Sequence, residues 1–227
     1  MRTILMPVSE ILRIKMNNKA LTTSNLIFSY NRSITFGFPD IDCAPGNHCI
    51  IMGPSGCGKT TFLHLIAGLL KPDSGEVIIQ GIDTVRLHSG EADRFRGKNI
   101  GIIYQKPHFI QWLTAFENLQ IARYLNNLAT ENEDINHLLR SLNLEDKAKS
   151  KPSQMSQGEL QRLSIARAVI NKPALILADE PTSSLDDKNC TEALNLLKRQ
   201  AEELQASLVI ATHDKRLLDH FPNRIFL

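Results

Sequence analysis

Short uninterrupted apolar runs, bounded by glycine or charge, alternate along the chain with longer stretches in which apolar positions recur every three or four residues. Residues 49–52, flanked by Gly46 and Gly53, predict a strand buried on both faces. A glycine-rich turn follows. Phe62, Leu63, Ile66, Leu69 and Leu70 then fall at helical spacing, so a helix is expected over 59–70, closed by a turn at 71–75. Residues 76–80 and 100–104 predict further short strands, with a solvated charged stretch at 91–98 ahead of the second. From 114 to 144, Phe116, Leu119, Leu125 and Leu128, then Ile135, Leu138, Leu139 and Leu142, repeat at helical spacing with no strand signal, which predicts an inserted helical lobe. Residues 149–154 form its polar exit. Two more strands, 174–178 and 208–212, are separated by an amphipathic helix whose apolar face carries Leu194, Leu197 and Leu204. The sum is an α/β chain: a parallel sheet flanked by helices, with one helical lobe.

Composition narrows this further. With 227 residues, 42% hydrophobic and 22% charged, the chain has the make-up of a globular protein, one large domain or a core with a lobe, and not of a disordered, collagenous or coiled-coil chain. Lys and Arg number 26 against 24 for Asp and Glu, a balance of +2 that supplies no long-range field for nucleic acid. No apolar run reaches the roughly 18 residues of a membrane span. Near the N-terminus, Pro7 and Glu10 interrupt the one apolar patch, so no signal peptide is expected. Met16 precedes the first recognisable element, so residues 1–15 are expected to be an unstructured extension or a start placed too early. Cys43, Cys49, Cys57 and Cys190 form no CxxC pair, which argues against a zinc site or a disulfide framework and fits a reducing cytosol.

The chemistry begins at the glycine turn. Gly53, Pro54, Ser55, Gly56, Cys57, Gly58, Lys59 and Thr60 match G-x-x-x-x-G-K-[ST] at every fixed position, between a predicted strand and a predicted helix. Glycines let the backbone curl so that successive N–H groups face phosphate oxygens, and the helix N-terminus adds partial positive charge. Lys59 is expected to reach the β and γ phosphates, Thr60 to offer its hydroxyl to Mg²⁺, and Thr61 to serve the α-phosphate side. The alternative is a glycine turn that merely opens a helix.

Downstream, the apolar strand 174–178 ends in Asp179 and Glu180, where open α/β sheets place their ligands. On an extended backbone adjacent side chains point to opposite faces, so different tasks are expected: Asp179 for Mg²⁺, Glu180 for polarising an attacking water as general base. His213 follows the next strand and is placed to hold the γ-phosphate and the water's geometry. Gln105 follows the strand ending at Tyr104, with an amide suited to Mg²⁺ or the same water.

Met155, Ser156, Gln157, Gly158, Glu159, Leu160, Gln161 and Arg162, continued by Ala166, Arg167 and Ala168, resemble the signature of ABC-type ATPases, usually written L-S-G-G-Q. Together with the phosphate loop, Gln105, residues 178–186 and His213, the resemblance covers nearly all of residues 20–227. It implies a P-loop NTPase (RecA-like) parallel sheet core with an N-terminal antiparallel β region and a helical lobe at about 106–160, all within one ATP-binding domain over 16–227. It implies Mg-dependent hydrolysis of ATP by two domains closed head to tail, each ATP held between one phosphate loop and the other chain's signature. Ser156 would then supply a hydroxyl and Gly158 an N–H to the γ-phosphate. Ser183, Ser184, Leu185 and Asp186 resemble the loop that crosses the dimer seam. Tyr30 is similar to the aromatic that stacks on adenine, or is an ordinary core or surface tyrosine.

Two departures stand out. Gln157 replaces the first signature glycine and Glu159 the glutamine, so strain is expected if the backbone at 157 needs positive φ. The chain also stops at Leu227, where relatives usually add a hairpin. Residues 102–105 and 113–119 look like the lipoprotein-release, macrolide-export and cell-division branch.

The resemblance thus implies the ATP-binding and hydrolysing subunit of an ABC transporter complex, on the cytoplasmic face of the cell membrane. Its partners would be a separate integral permease and a second nucleotide-binding domain, most simply another copy of this chain. The alternative is a non-transport regulator that uses the ATP dimer as a switch on an envelope or division complex. Pro107, Phe109, Ile110, Trp112 and Leu113 form either a groove for a partner's helix or the lobe's own core.

Overall fold

The computed structural model describes residues 19–31, 34–128, 132–183 and 185–227. The extension expected at 1–15, Met16, and Ser184 of the seam loop lie outside the described residues.

Two sheets share the core. In the first, the long strand β1 (Leu21–Asn31) pairs antiparallel with β2 (Ile34–Gly37), β3 (Ile41–Cys43) and β5 (Ser74–Ile79), and β6 (Ile82–Asp83) lies against β5. The second sheet is parallel, in the order β10 (Asn223–Phe226), β4 (His48–Met52), β9 (Ser207–Thr212), β8 (Leu175–Asp179), β7 (Ile100–Ile103). Six α-helices are described: α1 (Lys59–Ile66), α2 (Ser89–Asn99), α3 (Ala115–Tyr124), α4 (Asn132–Ser141), α5 (Gln157–Val169) and α6 (Asp187–Glu203).

Period-two alternation in the parallel strands sorts the core into two halves. Cys49, Ile51, Leu175, Leu177, Val209 and Ala211 face α1 and the antiparallel sheet, where Phe62, Ile66, Leu21, Val77 and Ile79 meet them. Ile50, Met52, Ile176, Ala178, Leu208 and Ile210 face the opposite way, onto Leu163 and Ile165 of α5, Leu194 and Leu197 of α6, and the lobe. Both faces are covered, as the uninterrupted apolar runs require.

Several sequence expectations shift in position. The helix after the phosphate loop ends at Ile66 and not at residue 70, because the chain turns through Gly68 at φ +64° and leaves Leu69 exposed. The strand expected at 76–80 begins at Ser74, inside the predicted turn, and belongs to the antiparallel sheet. The charged stretch at 91–98 is helical, as α2. Beyond β9, a 3-10 segment (Lys215–His220) leads into β10, which extends the parallel sheet beside β4.

The lobe consists of α3 and α4 packed on α5. Thr114 caps α3: its hydroxyl accepts from the Glu117 N–H at 3.2 Å, and the Glu117 carboxylate accepts from the Thr114 N–H at 2.7 Å. Buried Asn118 fastens the segment that follows Gln105 to this helix, its amide donating to the carbonyls of Ile110, Leu113 and Thr114 and its oxygen accepting from the Ile110 N–H. The apolar residues 107–113 are thereby divided. Phe109 is buried, with the Arg167 guanidinium 4.7 Å from its ring centroid, whereas Trp112 stands 75% exposed.

Core and lobe meet where β7 crosses α5. A Cβ on Gly101 would lie 2.3 Å from the carbonyl oxygen of Ala168, so strand and helix approach at backbone distance. Neither backbone yields cheaply. Gly101→Ala is therefore expected to lower stability by about 1–3 kcal/mol, the usual cost of overpacking; a urea midpoint equal to that of the parent would refute this contact.

Candidate functional site

The phosphate loop joins β4 to α1. Gly56 takes φ +82° and Gly58, the N-cap of α1, φ +103°, left-handed values that curl residues 53–58 around the helix N-terminus. At Gly58 the constraint is also steric, since a Cβ would sit 3.1 Å from the Phe36 ring. Lys59 is buried, and its ammonium donates to the carbonyls of Gly53 at 2.9 Å and Pro54 at 3.0 Å. The same ammonium is 3.6 Å from the Glu180 carboxylate.

Around the loop the sequence-expected groups assemble. Thr60 donates its hydroxyl to Oδ2 of Asp179 at 2.7 Å, while Oδ1 of Asp179 is buried without a hydrogen-bond partner. Burial raises the Asp179 carboxyl above its ordinary value, the Thr60 hydrogen bond opposing this and the Glu180 charge adding to it. Thr61 shares a 2.9 Å hydrogen bond with the Tyr30 hydroxyl, so this threonine is engaged by the aromatic wall. Tyr30 is half-exposed, with Phe28 and Phe36 edge-on to its ring. A cleft of ≈ 310 Å³ is lined by Tyr30, Phe36, Ser55, the loop's left-handed glycines, Lys59 to Thr61, Gln105, Glu180 and His213.

The paired carboxylates do part company, but not by strand alternation. Asp179 ends β8, and Glu180 turns into left-handed φ +47°, its N–H donating to the Ala211 carbonyl at 2.8 Å. That turn carries the Glu180 carboxylate toward the end of β9. There Oε2 accepts from the Thr212 hydroxyl at 2.8 Å, and Oε1 accepts from the His213 N–H at 3.1 Å and lies 2.7 Å from His213 Nδ1. Thr212 and Phe36 are the site members that sequence reasoning missed. For Thr212 the available signal was its position immediately before His213 on a predicted strand.

Ser156, Gly158 and Asp186 do not line this cleft. Ser156 is the N-cap of α5, its hydroxyl accepting from the Glu159 N–H while the Glu159 carboxylate accepts from the Ser156 N–H at 2.7 Å. These bonds hold the Glu159 carboxyl below its ordinary value, and Lys147 stands 3.2 Å away. Gln157 begins the helix without positive φ, so the strain expected at this departure does not arise. Asp186 caps α6 in the same manner, accepting from the Asn189 N–H at 2.9 Å and from its side-chain amide at 2.7 Å.

Comparison with known proteins identifies the family and the fold. A family model described as ABC transporter matches residues 39–183. The lipoprotein-releasing system ATP-binding protein LolD of Buchnera aphidicola is 38% identical over 207 residues, covering 90% of this chain and 89% of its own. LolD of Legionella pneumophila (strain Paris) is 33% identical, covering 93% and 96%. Among solved structures, the dimeric ATP-binding cassette MJ0796, in a post-hydrolysis state bound to ADP and Pi, superposes with a TM-score of 0.81 at 34% identity, over 91% of this chain and 94% of that one. A P-loop set against a carboxylate pair in a parallel sheet, an antiparallel sheet and a helical lobe in place, and this breadth of likeness lead to one assignment: the chain belongs to the ABC transporter family, as one of its ATP-binding and ATP-hydrolysing subunits.

Proposed function

We propose that this subunit pairs head to tail with a second nucleotide-binding domain around ATP and passes the motion to a separate membrane permease, in a system of the lipoprotein-releasing kind. The observation that carries the reading is the division of the site. Lys59, Thr60, Glu180 and His213 line one cleft, with Asp179 hydrogen-bonded to Thr60 behind its wall, while Ser156 and Gly158, at the start of α5, stand outside it. Half of a phosphate site is thus presented elsewhere on the chain, where only a partner's nucleotide can use it. No helix among the described residues is long and apolar enough to cross a membrane; in this proposal the bilayer is reached through the permease.

Within the cleft the residues divide the work by chemistry. The loop N–H groups, the start of α1 and Lys59 bind the phosphates. Tyr30 offers an aromatic face to the base. Mg²⁺ fits the Thr60 hydroxyl and the unpartnered Oδ1 of Asp179, with Gln105 on the cleft wall, and when bound it would neutralise charge on the phosphate oxygens. Glu180 accepts the proton of the attacking water. His213 steadies Glu180 through Nδ1 and lines the cleft where the γ-phosphate would lie. At the seam, Ser156 keeps its hydroxyl proton, since it acts only as acceptor in the cap. Trp112, exposed on a segment that Asn118 makes rigid, is the anchor offered to the permease.

Glu180→Gln should keep MgATP binding and lose about 10²- to 10⁴-fold in turnover, the usual share of a general base; phosphate release at the parent rate would reject that role. Lys59→Ala should act earlier, weakening nucleotide affinity itself, and a titration with a fluorescent ATP analogue showing unchanged affinity would contradict it. For the permease contact, Trp112→Glu should abolish co-purification with the membrane subunit from detergent while leaving ATP binding intact. Undiminished co-purification would remove Trp112 from the interface.

A further inference from the structure

Thr212, at the end of β9, is completely buried. Its hydroxyl stands between two partners, 2.8 Å from Oε2 of Glu180 and 3.0 Å from the backbone nitrogen of Asp214. A backbone N–H can only donate, so the hydroxyl accepts from Asp214, and its single proton is left for Glu180. The main chain therefore dictates the direction of this bond. Asp214 is itself fixed in place: its carboxylate accepts from Nε of Arg216 at 2.9 Å and from the Thr182 hydroxyl at 3.3 Å.

Each oxygen of the Glu180 carboxylate consequently has its own anchor. Oε1 belongs to His213, through the backbone N–H and the ring, whereas the hydroxyl of Thr212 is the anchor recorded for Oε2. The left-handed backbone at Glu180 sets where the side chain starts, and the two anchors set how its carboxylate is turned. With Oε2 released, the group would be held at Oε1 alone, by His213 and the Lys59 ammonium at 3.6 Å, and its orientation would be less tightly set.

We propose that Thr212 is a positioning residue for hydrolysis, its hydroxyl holding the Glu180 carboxylate in the orientation from which it acts on water. The inference rests on the reading of Glu180 as general base and extends it to the group that aims it. A residue that merely fills the core at this point would need its shape but not its proton.

The test compares steady-state ATP hydrolysis by the full chain carrying Thr212→Val, Thr212→Ser, Thr212→Ala, Glu180→Gln, or Thr212→Val with Glu180→Gln. Valine keeps the shape and removes the hydroxyl, both the proton given to Glu180 and the acceptor of the Asp214 N–H, and the Glu180→Gln background separates the two. It should lower kcat about 10- to 100-fold, the worth of a hydrogen bond to a charged group, with KM for MgATP within about twofold of the parent. Serine should restore most of the rate. In the Glu180→Gln background, valine should cause no further loss, because the group it aims is already gone. Parental kcat in Thr212→Val, a raised KM with kcat intact, or an additional full loss in the double variant would each overturn the proposal. If the valine variant fails to fold by circular dichroism, the serine and alanine variants carry the same comparison, since they differ only in the hydroxyl, and equal turnover of the two would overturn it. Parental turnover in Glu180→Gln would instead remove the general-base reading itself.

Discussion

A buried ammonium facing a buried carboxylate sets the conditions for the whole site. Lys59 and Glu180 retain only 7% and 8% of their side-chain exposure and stand 3.6 Å apart. Two charges withdrawn from water to this depth are tolerated only when each also finds hydrogen-bond partners. Lys59 finds the Gly53 and Pro54 carbonyls, which face it because the loop curls through left-handed glycines; Glu180 finds Thr212 and His213. The phosphate loop and the Glu180 carboxylate thus form one electrostatic unit. In the proposed reaction, a γ-phosphate that competes for the ammonium would change the surroundings of Glu180 in the same event, linking nucleotide binding to the readiness of the base.

The framework keeps these charges in register through the parallel sheet. β4 delivers the loop, β8 delivers Asp179, β9 delivers Thr212 and His213, and β7 delivers Gln105, all from carboxyl ends on one side. Such strands are buried on both faces, so a shift of one residue would exchange the two core halves. Registry of the candidate site's residues is in this way protected by hydrophobic packing far from the cleft.

Much of the site could be read in advance because its spacing is its chemistry. The loop from Gly53 to Thr60 and the strand ending in Asp179 need no tertiary information to be recognised. Other features were hidden for identifiable physical reasons. In β1 the buried positions change parity between Thr23 and Leu26, across a register shift with Asn25 at φ +49°, and this bulge erases the alternation that marks a strand. The antiparallel sheet was accordingly expected only through family resemblance. Helix α2 buries no residue, so its polar sequence carries no periodic signal; its start is instead capped by Glu91, whose carboxylate accepts from the His88 N–H at 3.3 Å. At residue 157, a glycine-to-glutamine exchange looked costly by analogy but occupies ordinary helical backbone. The left-handed turn at Glu180 was not legible at all, since no residue type announces it.

Helix α5 begins at the capping serine and, near its other end, presses Ala168 against Gly101 of the sheet. That contact, with Leu163 and Ile165, pins the helix in the core, while its first turn at Ser156 lies exposed in the lobe. At 1.5 Å per residue the arm from Ala168 to Ser156 is about 18 Å, so a tilt of about 5° sweeps the tip through about 1.5 Å, half the length of a hydrogen bond. In the proposed dimer, a tilt of that size would be enough to engage or withdraw the serine from a neighbour's phosphate.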